Sequence, residues 1–308
     1  MMEYKDITFE MLGTRRQRPM MTSELWKHKY TMDMSEYPNN VHDYVGYFLT
    51  EIDRWIRNHK FAVYKNLDVF DRRDGILGTT HQLDELHWLY KGRIATFKGE
   101  YKYHRRLTDF TVKQIRHYEE LNKNDVLVSS YPSNITGGLM DGFQDTLDYC
   151  NRNNIPVHID GAWLGQCRNF EFDVSHPAIH SVSVSLSKAL AMGSNRIGIR
   201  YSRNTPVGPI SIMNDFKYVN VSDMWIGVSM MQKFGSDYWW KNYTEQYCKV
   251  CKDFGLEEAD SIHIAWHNTH DSRDAFGIRT PLRFLIDGIY DERGTDKGLS
   301  KIEREERA

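Results

Sequence analysis

Residues 185–198 read SLSKALAMGSNRIG. Lys188 follows a small polar sequence, a loop containing glycine comes next, and Arg196 stands eight positions after the lysine. A lysine acts as a nucleophile in its unprotonated form, which burial and neighbouring cations favour because they lower its pKa. An arginine fork with hydroxyl donors suits a phosphate dianion. The stretch therefore indicates either a nucleophilic lysine beside an anion site or, more simply, an exposed lysine next to a surface loop.

Short apolar stretches alternate with helical patterns through the middle of the chain. The composition of strands is found at 93–97, 125–130, 156–160, 181–185 and 197–201. Apolar residues spaced three and four positions apart predict helices at 42–60, 81–91, 110–122 and 138–151. Strands that alternate with helices favour a mainly parallel sheet covered on both faces, that is, a three-layer αβα architecture in the α/β class.

Polar residues stand at or after the ends of three of these strands, namely Asn134, Asp160 and Lys188. The carboxyl ends of parallel strands meet at one edge of a sheet, and α/β proteins bind ligands there. We therefore expect these three side chains to lie close together at a ligand site.

The length and composition of the chain limit its organisation and its partners. It has 308 residues and a formal net charge of −2, which gives no indication of binding to nucleic acid or to an anionic membrane. No stretch approaches the ~18–20 apolar residues of a membrane span, and the N-terminus lacks a signal-peptide core, so we expect a cytoplasmic protein. The predicted division is an N-terminal segment (1–60), a large domain (61–205) and a small C-terminal domain (206–308).

Four cysteines do not suggest a disulfide framework in a chain of this length. Cys248 and Cys251 form one Cys-x-x-Cys sequence, whereas a zinc site usually needs a second pair of ligands at ordered spacing. His263 and His267 are the nearest histidines that follow it. We interpret the two cysteines as helix positions near the core and predict no metal, with a metal or redox role as the alternative.

Six segments along the chain carry a family resemblance. They are GTTH (78–81), KGEYKYH (98–104), YPSNITGG (131–138), VHIDGAW (157–163), SLSKALAMGSNRIG (185–198) and GIRTPLRFLI (277–286). In this order they resemble fold-type-I enzymes that depend on pyridoxal phosphate (PLP), in particular the class I/II, aspartate aminotransferase-like family. The resemblance covers 75–203 well and the rest of the chain thinly. It implies the fold-type-I architecture with a reduced small C-terminal domain.

The resemblance assigns two catalytic residues, Lys188 and Asp160. Lys188 would hold PLP as a Schiff base and move the proton as general base and acid, and Asp160 would pair with the protonated pyridine nitrogen. Asn134 would donate to the phenolic oxygen of the cofactor. Trp163 stands where the family often has tyrosine, and its indole N–H is a donor that cannot ionise. Taken singly, Asp160 also fits a helix N-cap and Asn134 an ordinary loop.

The same resemblance assigns the residues around the phosphate and the ring. The phosphate would contact Gly78, Thr79, Thr80, Ser185, Ser187 and Arg196. Helix N-termini attract phosphate, although a capping threonine without a ligand also explains residues 78–80. Tyr101 would stack on the pyridine ring, with Tyr103 as the alternative, and His104 matches a histidine that lies behind the aspartate in some members.

Residues 277–286 resemble the C-terminal strand that carries the substrate-binding arginine of the family. A guanidinium fork binds a carboxylate through two parallel hydrogen bonds. Arg283 is in the better alignment, and Arg279 is the other candidate.

The implied function is PLP-dependent transfer of an amino group from an amino acid or related amine to an α-keto acid acceptor, in a homodimer. The same cofactor supports decarboxylation, elimination by a lyase, racemisation and aldol cleavage, and the fold does not choose among them. A non-catalytic binding protein on this fold is less favoured, because Lys188 and Asp160 are both present.

Overall fold

The computed structural model describes residues 3–14, 20–101, 103, 112–268 and 273–288. Its strands are β1 (Gly13–Thr14), β2 (Ala62–Lys65), β3 (Arg72–Ile76), β4 (Ile94–Phe97), β5 (Lys113–Ile115), β6 (Val126–Ser130), β7 (Val157–Asp160), β8 (Phe170–Asp173), β9 (Ile179–Ser185), β10 (Gly198–Ser202), β11 (Glu257–Glu258), β12 (Ile264–Asn268) and β13 (Arg273–Gly277). Its α-helices are α1 (Ser23–Tyr30), α2 (Val41–Arg57), α3 (Thr79–Leu89), α4 (Phe143–Arg152), α5 (Leu186–Ala189), α6 (Pro209–Asp215), α7 (Val221–Phe234), α8 (Tyr238–Asp253) and α9 (Arg279–Asp287).

Seven strands form the central sheet, in the order β3-β10-β9-β7-β6-β4-β5. The strands from β9 to β5 run parallel to one another, whereas β10 is antiparallel to both β9 and β3. Every residue of β6, β7 and β10 is buried, as is expected of strands covered on both faces. The predicted mainly parallel sheet is confirmed, and the apolar runs of its strands reflect this double burial.

Helices cover the sheet from two sides, and β10 shows this directly. Successive residues of a strand point to opposite faces. The Tyr201 hydroxyl donates to Asp53 on α2 at 2.8 Å, while the neighbouring Arg200 reaches Glu85 on α3. The three-layer αβα architecture is therefore confirmed.

A buried ion cluster fixes α3 against the sheet. The Arg200 guanidinium donates to Asp74 on β3 at 2.6 Å and also to Glu85 on α3. The side chains of all three residues are only 1% exposed. A buried ion pair compensates for desolvation only when further hydrogen bonds are made. Glu85 accepts such a bond from the Ile210 N–H at 2.6 Å. The cluster thereby holds the middle of α3 against β3 and β10.

A second sheet lies in the C-terminal part of the chain. It has four strands in the order β1-β13-β12-β11, and each strand is antiparallel to its neighbour. Its edge strand β1 comes from the N-terminal segment, so both ends of the described chain build this sheet. The domain boundaries given above stay a prediction. In the described residues no helix is both long and apolar enough to cross a membrane.

Three predicted elements differ from the structure. Residues 110–122 do not form one helix: the described part contains β5, which pairs with β4, and a 3₁₀ turn at Tyr118–Glu120. The helix predicted at 138–151 begins at Phe143. The strand predicted at 277–286 is wrong, since α9 begins at Arg279. Pro281 is compatible with a helix because it lies in the first turn, where its missing N–H costs no hydrogen bond.

Candidate active site

The carboxyl ends of β6, β7 and β9 form one edge of the central sheet. Ser130 at the end of β6 lies opposite Asp160 at the end of β7, and Asp160 lies opposite Ser183 on β9. Lys188 follows β9 on the short helix α5, whose N-cap Ser185 accepts a hydrogen bond from the Ser187 N–H at 3.1 Å. The sheet therefore brings Asp160 and Lys188 to the same edge.

The Lys188 amine lies between two aromatic rings. Its Nζ is 5.5 Å from the ring centre of Trp163 and 5.9 Å from that of Tyr101. Burial lowers the pKa of Lys188, and the positive charge of Arg196 lowers it further, whereas the Asp160 charge opposes this shift. The amine is consequently easier to deprotonate than an exposed lysine.

Asp160 is a buried carboxylate held by several donors. Its Oδ1 accepts a hydrogen bond from the Ala162 N–H at 2.9 Å, and the Thr79 hydroxyl at the start of α3 donates to it as well. Burial raises the pKa of Asp160, while Lys188 and these hydrogen bonds act in the opposite direction. The acid therefore connects the lysine to the first turn of α3.

Hydroxyl groups and a guanidinium meet at the N-terminus of α3. Arg196 donates through Nη2 to the Thr80 hydroxyl at 2.6 Å and through Nη1 to the Ser187 hydroxyl at 3.1 Å. Ser185 Oγ donates to Ser187 Oγ at 2.7 Å. Gly78, the N-cap residue, provides no capping side chain. Free helix N–H groups, hydroxyls and an arginine together form an anion-binding corner. The six residues predicted to contact a phosphate all lie at this corner or next to it.

Asn134 lies in the loop after β6 and is buried. In the described structure its side-chain Oδ1 makes no hydrogen bond, which is a cost for a buried polar atom. The loop itself is well held, since the Ser133 hydroxyl accepts from the Ile135 N–H at 3.0 Å and from the Thr136 N–H at 3.3 Å. The Asn134 Oδ1 is therefore a buried acceptor without a partner, in the loop that follows β6.

Tyr101 and Tyr103 stack on each other at the mouth of the site. Their ring centres are 5.9 Å apart and their planes differ by 14°. The Tyr103 hydroxyl donates to Asp84 on α3. His104, the third predicted residue of this segment, lies outside the described residues.

The two candidate substrate arginines differ in their surroundings. Arg283 Nε is 3.5 Å from Asp287 Oδ2, and Asp287 also accepts a hydrogen bond from the Ser23 N–H at 2.9 Å. The charge of Arg279, together with that of Lys188, lowers the pKa of the buried His263. Arg279 therefore shares its surroundings with the lysine, whereas Arg283 is tied to the last residue of its own helix.

Comparison with known proteins finds likeness at the level of structure. No family model and no curated protein sequence matches the chain. An alanine aminotransferase from Pyrococcus furiosus matches with a TM-score of 0.56, 15% identity and coverage of 85% of this chain and 77% of the other. An aspartate aminotransferase from Thermotoga maritima matches with a TM-score of 0.59 and 12% identity, over 89% of this chain and 90% of the other. A PLP-bound C-S lyase from Staphylococcus hominis matches with a TM-score of 0.58 and 11% identity, over 92% of this chain and 91% of the other.

The chain has the fold-type-I fold of these enzymes. The fold expected from the six sequence segments is thus confirmed. At these low identities the likeness concerns the fold, so the roles of individual residues depend on the geometry of the site.

Three buried residues near the candidate site have no role there in the sequence analysis: Glu100, Cys167 and His263. Glu100 follows β4 and is buried against Ser129 and Ser130. The Cys167 thiol donates to the Gly137 carbonyl at 3.0 Å, and burial raises its pKa. Only Glu100 had a local signal, because it is an acidic residue three positions after the apolar strand β4, and ligands bind at the carboxyl ends of such strands.

Proposed function

We propose that this protein is a PLP-dependent aminotransferase that acts on an amino acid or a related amine, with the cofactor bound through Lys188. One observation carries the proposal. A lysine with a lowered pKa and a buried aspartate lie at the same sheet edge, next to the anion-binding corner of Arg196, Thr80 and Ser187. A cofactor with an anionic end, a basic ring nitrogen and a reactive carbonyl requires this set of groups.

The residues of the site fit PLP. The anion-binding corner would hold the phosphate, with Gly78, Thr79 and Ser185 beside it. Asp160 would accept a hydrogen bond from the ring nitrogen. The Asn134 side chain would donate through its amide N–H to the phenolic oxygen, to which Trp163 would also donate. Tyr101, whose ring faces Lys188, would stack on the cofactor. When bound, PLP supplies the electron sink that makes a Cα–H bond of the substrate acidic.

Lys188 is the proposed general base and acid. Burial lowers its pKa, so that its Nζ can accept the proton from the substrate Cα and later return it. The Asp160 carboxylate would hold a proton on the ring nitrogen of the bound cofactor. The rings of Trp163 and Tyr101 flank the amine and limit the access of water to it.

Arg279 is the better placed of the two candidates for the substrate carboxylate. It shares the surroundings of Lys188 through His263, whereas Arg283 pairs with Asp287. An α-keto acid would serve as acceptor, and we propose a homodimer, which the family resemblance implies. The cytoplasmic location stays a prediction.

Cofactor binding is tested first by absorbance and chemical trapping. The purified protein incubated with PLP should absorb at wavelengths where no amino-acid side chain absorbs. Borohydride reduction should then fix the phosphopyridoxyl group on the peptide that contains Lys188, as measured by mass spectrometry. Lys188→Ala should lose the adduct, whereas Lys252→Ala, which changes an exposed lysine on α8, should keep it. A wild-type protein that binds no PLP would contradict the proposal.

The reaction is tested by its dependence on an acceptor. We expect loss of the amino group from an amino acid only when an α-keto acid is added, with formation of the corresponding new amino acid. The structural likeness to a C-S lyase is as close as that to the aminotransferases. Release of products without an acceptor would therefore assign the chain to the lyases or to another of the alternative PLP reactions.

A further inference from the structure

A second buried carboxylate lies beside Asp160. Glu100, in the segment that follows β4, is 6% exposed. Its Oε1 accepts hydrogen bonds from the Ser130 N–H at 2.8 Å and the Ser129 hydroxyl at 3.2 Å, and its Oε2 accepts from the Ser130 hydroxyl at 2.8 Å. Ser130 is the residue directly opposite Asp160 in the parallel pair of β6 and β7. Glu100 is therefore one strand away from the acid that faces the ring nitrogen.

The donors around Glu100 are all uncharged. Serine hydroxyls and backbone N–H groups of β6, with the Tyr101 N–H at 3.3 Å, surround the carboxyl group. Among the described residues, Asp160 is the charged group whose field acts on it. Burial raises the pKa of Glu100 to about 7, and the negative charge of Asp160 contributes to this rise. Glu100 therefore loses its proton near neutral pH, and above that pH a second negative charge lies close to Asp160.

Two cations act on Asp160, namely Lys188 and Arg196. Their field disfavours a proton on any basic atom that pairs with this aspartate. A second negative charge behind Asp160 would offset that field. Neither the anion-binding corner nor the catalytic lysine explains why a buried glutamate stands at this place.

We propose that Glu100 is a positioning residue for the ring-nitrogen site, which acts through Asp160 to raise the affinity of the cofactor's ring nitrogen for its proton. This inference rests on the proposed function, because it requires PLP to be bound with its ring nitrogen at Asp160. Glu100 itself touches neither the cofactor nor the substrate in this assignment.

The test measures protonation of the ring nitrogen directly. PLP labelled with ¹⁵N in the ring is bound to the wild-type protein, and the ¹⁵N chemical shift is followed as a function of pH. In Glu100→Gln the midpoint for loss of the ring proton should fall by on the order of one pH unit, because a neighbouring negative charge is lost. Glu100→Asp keeps the charge and should titrate close to the wild type. A wild-type midpoint in Glu100→Gln would overturn the inference.

A milder variant covers the case in which Glu100→Gln does not fold. Ser129→Ala removes a single donor to Oε1, which makes the ionised carboxylate less stable. The small pH step that ionisation of Glu100 causes in the ¹⁵N shift should then move to higher pH. An unchanged step would overturn the inference. Failure of the wild-type protein to bind labelled PLP would instead count against the proposed function, so the two failures are distinguishable.

Discussion

Gly78 adopts a backbone φ of +71°, a region in which glycine has no steric penalty. A Cβ at this position would lie 2.7 Å from Arg196 Nη2, which donates to Thr80. We expect Gly78→Ala to push the guanidinium away from the anion-binding corner. Loss of one hydrogen bond to a charged group costs about 1.5–3 kcal/mol, which corresponds to PLP binding that is weaker by about tenfold to a hundredfold. A titration of the apoprotein with PLP measures the change.

Gly92 provides the matched control for Gly78. Its φ is +70°, so alanine causes the same kind of backbone strain, yet a Cβ there would have nothing within 4 Å. Gly92→Ala should therefore lower the melting temperature without changing the affinity for PLP. Equal losses of affinity in the two variants would show that strain, and not the displaced Arg196, is responsible.

Some residues of the site can be predicted from sequence and others cannot, for a physical reason. Lys188, Asp160 and Arg196 stand within short segments whose order along the chain is itself a signal. His263 lies between β11 and β12 and is brought to the site only by long-range packing, as the backbone bridge between Cys167 and Ser261 shows. No local pattern records such a contact. Arg283 stays a prediction, and the structure places its Nε 3.5 Å from Asp287 Oδ2 on the same helix.

At the scale of elements, helix α1 has a role that its sequence did not reveal. Lys29 on α1 is buried, and its Nζ donates to the Ser194 hydroxyl at 3.0 Å and to the Ala191 carbonyl at 3.4 Å. Both acceptors lie in the loop that connects Lys188 to Arg196. The N-terminal segment therefore holds the loop between two proposed cofactor-binding residues, Lys188 and Arg196.

Lys29→Met tests this role of α1. The variant keeps a long apolar side chain but leaves the Ala191 carbonyl and the Ser194 hydroxyl without the cation, at a cost of about 1–3 kcal/mol. We expect faster hydrogen–deuterium exchange at residues 191–195 and weaker binding of PLP. Lys27→Met changes an exposed lysine of the same helix and should change neither quantity. Identical exchange of this loop in the two variants would contradict the proposed role.

Elements with strong periodicity were predicted well, and those that depend on partners were not. The helix at 42–60 is found at Val41–Arg57, with Phe48, Ile52 and Ile56 buried as its apolar face requires. Strand β5 has only three residues, and it forms by pairing with the neighbouring strand β4. A helical pattern in the surrounding sequence was therefore overridden by tertiary pairing.

At the scale of the whole molecule, alternation of strands and helices sufficed to predict the large sheet. The second sheet was not predicted, because β1 and β13, which pair in it, are separated by almost the entire described chain. Its strands are short, and one of them, β11, has exposed residues only. Composition and local periodicity carry little information about such long-range pairing.

The stability of the whole molecule should depend on pH through buried histidines, and His263 offers the clearest test. Neither of its ring nitrogens makes a hydrogen bond in the described structure, and its ring contacts Trp239 edge-on. Burial lowers the pKa of His263 to about 3, with contributions from Arg279 and Lys188. The unfolded chain takes up a proton below the usual value of about 6.5, whereas the folded protein does so only near 3. This histidine therefore costs no stability above about pH 6.5, and it destabilises the fold progressively as the pH falls toward 3.

Replacing His263 by leucine should remove this acid sensitivity. The two side chains have similar volumes, and no hydrogen bond is lost, so the free energy of unfolding at neutral pH should change by less than about 1 kcal/mol. Each pH unit of the window contributes about 1.4 kcal/mol, so at a pH of about 4.5 His263→Leu should exceed the wild type by roughly 2–3 kcal/mol. Urea unfolding at a series of pH values measures both numbers. His158, whose pKa burial lowers to about 3, retains part of the acid sensitivity in the variant. His117→Leu changes an exposed histidine and should reproduce the wild-type dependence of the free energy of unfolding on pH. Parallel pH curves for His263→Leu and the wild type would contradict the prediction, because they would show that His263 is protonated equally in the folded and unfolded states.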